Sequence, residues 1–300
     1  MTRRVSWCRM TRDLESLVLL CLEEKVIAGS CGPEDPWKEA RSLTGGDPEA
    51  AWSFITTVAS RATTLRQFEK LGAGPLAYFW SEHEEAYLPR LAAVAADLPA
   101  LVNLVIAEER RQALAAHVMT LVYAVADHSR EIPGDFHFEV PDALARLASP
   151  GAHPLTEQLL LPNWQEFSAR GMSERPWSES ELAQLVEGYI RAPAPPRNDD
   201  EDDWWWTLER LVSTAPHAAW RTILAIIARE KDGVDLALLG AGALETLVSD
   251  HGERLAPQIL TEIQRNPAFV RALSSCYLFS LSERLLLRLA DTCRRLLRAT

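Results

Sequence analysis

The sequence is short of positive charge, and nearly all the positive charge it has comes from arginine. Its 300 residues contain 31 Lys and Arg against 42 Asp and Glu, which gives a net charge of −11. Lysine occurs only at Lys25, Lys38, Lys70 and Lys231. Proteins that bind nucleic acid usually carry a basic patch that displaces counterions from the phosphates. The composition therefore argues against a nucleic-acid partner, whereas an acidic surface suits a basic protein partner.

Paired cysteines and long apolar runs are also missing. The five cysteines are odd in number and form no Cys-x-x-Cys motif, so we expect neither a disulfide framework nor a zinc site. No motif for a metal or a cofactor occurs. The apolar run at residues 17–22 is too short for a signal peptide, and charged residues interrupt the apolar segment 276–297. We therefore predict a cytoplasmic chain that does not enter a membrane.

The sequence does contain an internal repeat. Shifting the numbering by 168 places residues 52–99 on residues 220–267 without a gap. The strongest matches are Ala-Trp at 51–52 and 219–220, Leu-Gly-Ala-Gly at 71–74 and 239–242, and His83 with His251. We interpret the chain as an internal duplication.

Apolar residues recur with helical spacing in both copies. One face of the first predicted helix combines Leu14, Leu17, Val18 and Cys21, and the second copy repeats it with Leu182, Leu185, Val186 and Tyr189. Trp52 and Trp220 begin similar stripes and are predicted to be buried. We predict an all-α fold of two homologous multi-helix lobes joined by a helical linker, in a solenoid-like arrangement. The predicted boundaries are 1–107 for the first lobe, 108–176 for the linker, and 177–300 for the second lobe with a C-terminal helix.

Two repeated features allow both a chemical and a structural interpretation. The glycines at 72–74 and 240–242 could cradle phosphate, but no strand precedes them and no GxGxxG is completed, which favours close helix packing or a tight turn. His83 and His251 could act as a general base or a metal ligand. Neither has the partner of an HExxH motif, and Gly252 follows His251 as a C-terminal cap would. This pattern favours histidines at helix ends.

Several stretches resemble a family of small bacterial helical domains of unknown function. That family carries Asp-Pro-Glu-x-Ala-Trp, Ala-Ala-Gly-Pro-Leu-Glu-Asp-Leu-Leu and His-Gly patterns. They are similar to Asp-Pro-Glu-Ala-Ala-Trp at 47–52, Gly-Ala-Gly-Pro-Leu at 72–76, Gly-Ala-Gly-Ala-Leu-Glu at 240–245 and His251-Gly252. The resemblance covers 13–105 and 181–273, and it departs at Glu84 and Ala243. It implies a helical fold and a bacterial source, and it implies no catalytic residue.

The second copy differs most from the first in an acidic run that precedes three tryptophans. These residues are Asp199, Asp200, Glu201, Asp202 and Asp203, followed by Trp204, Trp205 and Trp206. Five consecutive carboxylates repel one another and predict a solvated loop. Successive helical residues lie about 100° apart, so three indoles cannot face one core. Trp205 matches Trp37 and is expected in the core, which leaves Trp204 or Trp206 at least partly exposed. The run with Trp204 and Trp206 is therefore our candidate binding surface, the alternative being a plain solvated loop.

Three functions remain open at this level. The first is a non-enzymatic protein-interaction module, in its most specific form an acidic inhibitor of a basic partner, of the immunity or antitoxin type. The second is a hydrolase that uses His83 or His251 with nearby carboxylates. The third is a structural or regulatory subunit. No nucleophile elbow, metal-ligand cluster or phosphate loop occurs in the sequence, which favours the first function.

Overall fold

A computed structural model describes residues 13–23, 36–127, 133–148, 161, 177–191 and 204–299. Every longer regular element in these segments is a helix, and none is a strand, so the predicted all-α fold is confirmed. The helices are α1 (Leu14–Leu22), α2 (Pro36–Thr44), α3 (Pro48–Arg61), α4 (Leu65–Leu71), α5 (Ala77–Val94), α6 (Pro99–Ala126), α7 (Asp142–Ala145), α8 (Glu179–Arg191), α9 (Trp204–Thr214), α10 (Pro216–Ile227), α11 (Leu236–Leu239), α12 (Glu245–Arg265), α13 (Pro267–Leu273) and α14 (Glu283–Ala299).

The helices α1 to α6 have counterparts of the same order in α8 to α13. Helices α3 and α10 both begin at a proline, Pro48 and Pro216, which are 168 positions apart. A proline is tolerated there because the first turn of a helix has no partner for its N–H groups. Helices α6 and α13 begin at Pro99 and Pro267 in the same way. The shared order agrees with the sequence repeat, and the duplication itself stays an interpretation of that repeat.

The two glycine-rich stretches form π-helical segments, Gly72–Leu76 between α4 and α5 and Gly240–Leu244 between α11 and α12. Gly74 (φ −112°, ψ −108°) and Gly242 (φ −118°, ψ −113°) have nearly the same non-helical backbone. A Cβ atom at Gly240 would lie 2.0 Å from the carbonyl oxygen of Ala272 in α13. Close backbone packing, one of the two structural roles expected for these glycines, is therefore confirmed at Gly240.

The predicted helix ends at His83 and His251 are wrong. Helix α5 continues through His83, and α12 continues through His251 and Gly252. Gly252 serves packing rather than capping, because a Cβ atom there would lie 2.8 Å from Cδ2 of Leu285 in α14. The residues that follow, from Glu84 and from Glu253, therefore continue α5 and α12 without opening new helices.

Two hydrophobic cores share the helix α6. The first core is built from α1 to α5 and the N-terminal part of α6, up to Ala107. The second core is built from the C-terminal part of α6, starting at Leu114, and from α8 to α14. The boundary predicted between the first lobe and the linker, at 107/108, falls inside α6, which no glycine or proline interrupts between Pro99 and Ala126.

The segment between the two halves is only partly described. Residues 133–141 have no regular structure, and α7 is a single short turn of helix. Residues 149–160 and 162–176 lie outside the described residues, whereas Leu161 between them is buried in the first core. Among the described helices, none is long and apolar enough to span a lipid bilayer.

Candidate functional site

The three tryptophans that open α9 have different environments. Trp204 packs on α8 at Gly188, where a Cβ atom would lie only 2.1 Å from Cδ2 of the indole. Trp205 stacks on the ring of Tyr189 at 5.6 Å and lies over Gly242, where a Cβ atom would be 2.6 Å from Cζ2. Both indoles therefore depend on glycines in neighbouring elements.

Trp206 is the tryptophan that faces solvent. Its side chain is 58% exposed, whereas Trp204 and Trp205 are half-buried. The expectation that Trp204 or Trp206 is at least partly exposed is therefore confirmed, and most clearly for Trp206. The acidic run from Asp199 to Asp203 lies outside the described residues and directly precedes α9 in the sequence. We call the exposed side of α9 around Trp206 the Trp206 surface.

Two half-buried carboxylates, Glu209 and Glu245, lie near the packed side of α9. Burial raises the pKa of Glu209, and the negative charges of Asp250 and Glu245 add to that rise, while a hydrogen bond from Thr246 opposes it. Burial also raises the pKa of Glu245, which accepts a hydrogen bond of 2.7 Å from the backbone N–H of Tyr277. Glu209 is three residues after Trp206 and therefore lies near it on the helix surface. Its Oε1, however, points to Gly242 on the side of α9 where Trp205 packs, and the exposed Arg210 follows Trp206 by four residues.

The two repeated histidines, His83 and His251, both lie within helices and pack against neighbouring side chains. His83 lies among aromatic rings, with its centroid 5.0 Å from that of Phe79 and 6.0 Å from that of Tyr87. His251 is buried in the middle of α12. No group of three or more His, Cys, Asp or Glu side chains in the described segments is arranged to hold a metal ion.

Two ion pairs with little exposure connect α6 to the start of α14 and to the residues just before it, and the sequence did not predict them. Arg110 donates to Glu283 through Nε (2.8 Å) and Nη2 (3.2 Å). Arg111 pairs with Glu108 through Nε at 2.8 Å and through Nη2, and its Nη1 donates to the carbonyls of Phe279 and Leu281. The charged sequence Glu-Glu-Arg-Arg at 108–111 was the available signal, because Glu108 and Arg111 are spaced to meet on one helix face.

Two open cavities border α6. One has a volume of about 570 Å³ and lies between the two halves; it is lined by Tyr78 and Glu82 of α5, Arg111 of α6, and Tyr277 and Phe279 before α14. The other has a volume of about 1010 Å³ and lies where α6 ends. Cavities of roughly 300–1,000 Å³ are large enough for a small ligand or a few side chains of a partner.

Part of the chain is similar to a known sequence family. Residues 194–295 match the profile of a family of unknown function (DUF6869). This segment contains α9 to α13 and most of α14, and it includes the Gly-Ala-Gly-Ala-Leu-Glu and His-Gly stretches. The match covers less than half of the 300 residues. No curated protein and no solved structure matches the chain.

Proposed function

We propose that the chain is a non-enzymatic protein-interaction module that binds a basic protein partner through the Trp206 surface. The observation that carries this proposal is the 58% exposure of Trp206 on a helix where the two preceding indoles are packed on glycines. Burying an exposed indole supplies a large contact area, and tryptophan is enriched among the residues that dominate binding energy. In the free chain this indole is exposed to solvent.

The charge around Trp206 supports a basic partner. The chain has a net charge of −11, and five consecutive carboxylates precede α9. Glu209 contributes a further carboxylate on the same helix. Such a concentration of one sign speeds the encounter with a protein of the opposite sign and disfavours acidic proteins. The most specific form of the proposal is a cytoplasmic inhibitor of a basic protein, of the immunity or antitoxin type.

The test begins with the products of neighbouring genes, because an inhibitor is often encoded beside its target. Each basic product is co-expressed with the chain, and a complex that co-purifies is reconstituted from purified proteins for kinetic measurement at several salt concentrations. We expect Trp206→Ala to speed dissociation and to weaken binding at least about tenfold, as loss of a central aromatic contact does. Replacing residues 199–203 by their amides should instead slow association and flatten its salt dependence.

The matched control is Leu65→Ala, because Leu65 is 64% exposed and lies in α4 of the first half. This change should leave both rate constants as they are. A verified complex whose kinetics are unaffected by Trp206→Ala and by the amide replacements would contradict the proposal.

A further inference from the structure

The cavity at the C-terminal end of α6 is an open groove, which we call the Tyr123 groove. Its volume is about 1010 Å³, and its lining includes Tyr123, Asp127, Glu230, Val234, Asp235 and Arg271. The walls come from α6, from the turn before α11 and from the end of α13. The groove is separate from the residues that define the Trp206 surface.

One wall of the groove is a strip of α6. Tyr123 and Asp127 are four residues apart, so their side chains lie on the same helix face. The ring of Tyr123 is 52% exposed. Asp127 is the C-cap of α6, and it forms no ion pair within the described segments. A carboxylate at the negative end of a helix dipole is electrostatically unfavourable, and the last turn of α6 has no basic residue to offset it.

The opposite wall adds more negative charge than positive charge. Glu230 binds Arg271 through two hydrogen bonds of 2.7 Å, so these two charges neutralise each other. Asp235 accepts hydrogen bonds from the N–H groups of Ala237 (3.0 Å) and Leu238 (3.1 Å), and it contributes a further negative charge. Among the described residues the lining contains three carboxylates and one guanidinium, and the carboxylates of Asp127 and Asp235 are the ones that no described cation of the lining pairs with.

These charged groups are not part of the repeated packing. The counterparts of Asp235 and Arg271 in the first half are Gln67 and Asn103, which are uncharged and buried. The groove also has apolar lining, which includes Val234, Leu236 and Pro133. It therefore combines an open aromatic face, two unbalanced carboxylates and apolar walls in the second half alone.

We propose that the Tyr123 groove binds a short peptide segment of a partner protein in which arginine or lysine alternates with apolar residues. The cation lies against the ring of Tyr123 and near Asp127, because a guanidinium or ammonium is attracted both to an aromatic face and to a carboxylate. The apolar residues of the segment pack on Val234 and Leu236. This proposal shares with the proposed function only the basic character of the partner.

The probe is a synthetic peptide of alternating arginine and leucine, compared with a matched peptide that has glutamate in place of arginine. Binding to the full chain is measured by calorimetry at low salt. We expect saturable binding of the arginine peptide alone. Tyr123→Leu and Asp127→Asn should each weaken it about two- to fivefold, and Tyr123→Leu, Asp127→Asn and Asp235→Asn together at least about tenfold. Asn at position 235 keeps the helix cap, so the fold is preserved.

A second variant with Glu85→Gln and Asp97→Asn removes two exposed charges of the first half, and it should bind the peptide as the original chain does. An equal loss in this control, or no binding by the original chain, overturns the proposal. Peptide binding that Trp206→Ala abolishes and the groove variants spare also overturns it, while supporting the proposed function. A verified complex that depends on the groove residues and is unaffected by Trp206→Ala supports this proposal and contradicts the proposed function.

Discussion

Arg110 and Glu283 lie 173 positions apart in the sequence and pair through two hydrogen bonds of 2.8 and 3.2 Å. The side chain of Glu283 is 2% exposed, and it also accepts a hydrogen bond of 2.7 Å from the backbone N–H of Leu161. This carboxylate therefore connects α6, α14 and the segment between the two halves. Its neighbour, the pair of Glu108 and Arg111, holds the carbonyls that precede α14.

Removing Arg110 should destabilise the protein strongly and in a pH-dependent way. We expect Arg110→Met to lower the free energy of unfolding at pH 7 by about 3–5 kcal/mol, because it leaves the charge of Glu283 buried without a partner. Burial already raises the pKa of Glu283 above its ordinary value of 4.5. The native state then binds a proton more tightly than the unfolded state, so the loss should shrink as the pH falls towards 4.5. Urea unfolding at pH 7 and pH 5 measures this.

The control for that experiment is the double variant Arg110→Met with Glu283→Gln, which removes the buried charge. It should be more stable than Arg110→Met at pH 7 and should have a weaker pH dependence. Identical losses for Arg110→Met at both pH values would show that the pair contributes packing and not charge.

Trp52 and Trp220 are confirmed as buried, with exposed fractions of 8% and 6%. Trp52 stacks on Phe79 at 5.8 Å, and Trp220 meets Phe269 edge to face at 5.5 Å. We predict that Trp52→Ala and Trp220→Ala each lower the free energy of unfolding by about 3–5 kcal/mol, as truncation of a core aromatic does. Denaturant melts decide this. An unchanged midpoint combined with lost partner binding would assign these residues to a site instead.

Gly188 should tolerate no side chain while Trp204 is in place. A Cβ atom there would lie within 2.5 Å of three indole atoms of Trp204, so we expect Gly188→Ala to cost about 1–3 kcal/mol by overpacking. Trp204→Leu in the same chain should relieve part of that cost, and a double-mutant cycle measures the coupling. Gly134→Ala is the control, since no atom lies within 4 Å of its added Cβ. Additive effects of the two changes would exclude a direct clash.

Glu209 should reduce stability near neutral pH. Its pKa is raised chiefly by burial, and the charges of Asp250 and Glu245 contribute. Since the native state favours the protonated acid, the free energy of unfolding falls as the pH rises above 4.5. We predict that Glu209→Gln, which can still accept from Thr246, stabilises the chain at pH 7 and has little effect at pH 4.5. Thermal melts of this variant and of the exposed control Glu85→Gln test the prediction; a benefit that persists at pH 4.5 contradicts it.

The sequence contained enough to predict the helical fold and part of the candidate site. Periodic apolar residues identified the helices, and Pro48 and Pro216, a residue type favoured in the first turn of a helix, do begin α3 and α10. The expectation that Trp204 or Trp206 is at least partly exposed followed from the angle between successive helical residues, and the structure identifies Trp206 as the more exposed of the two. These inferences succeed because each depends on neighbours within a few positions along the chain.

Features formed between distant segments were not predictable in the same way. Gly252 resembled a helix end, and only the position of Leu285 shows that it is needed for packing. The Tyr123 groove has walls from three separated segments, and none of them has a motif of its own. A local sequence pattern does not show which helix faces pack together, so the ion pair of Arg110 with Glu283 could not be predicted either.

The uninterrupted course of α6 sets the angle between the two cores. Ala107 packs in the first core and Leu114 in the second, with no break in the helix between them. Inserting one residue between them would turn one core by about 100° and move it by about 1.5 Å relative to the other, whereas four residues would nearly complete a turn. The number of residues between Ala107 and Leu114 is therefore constrained by geometry, whereas the identity of the exposed residues in this stretch is not.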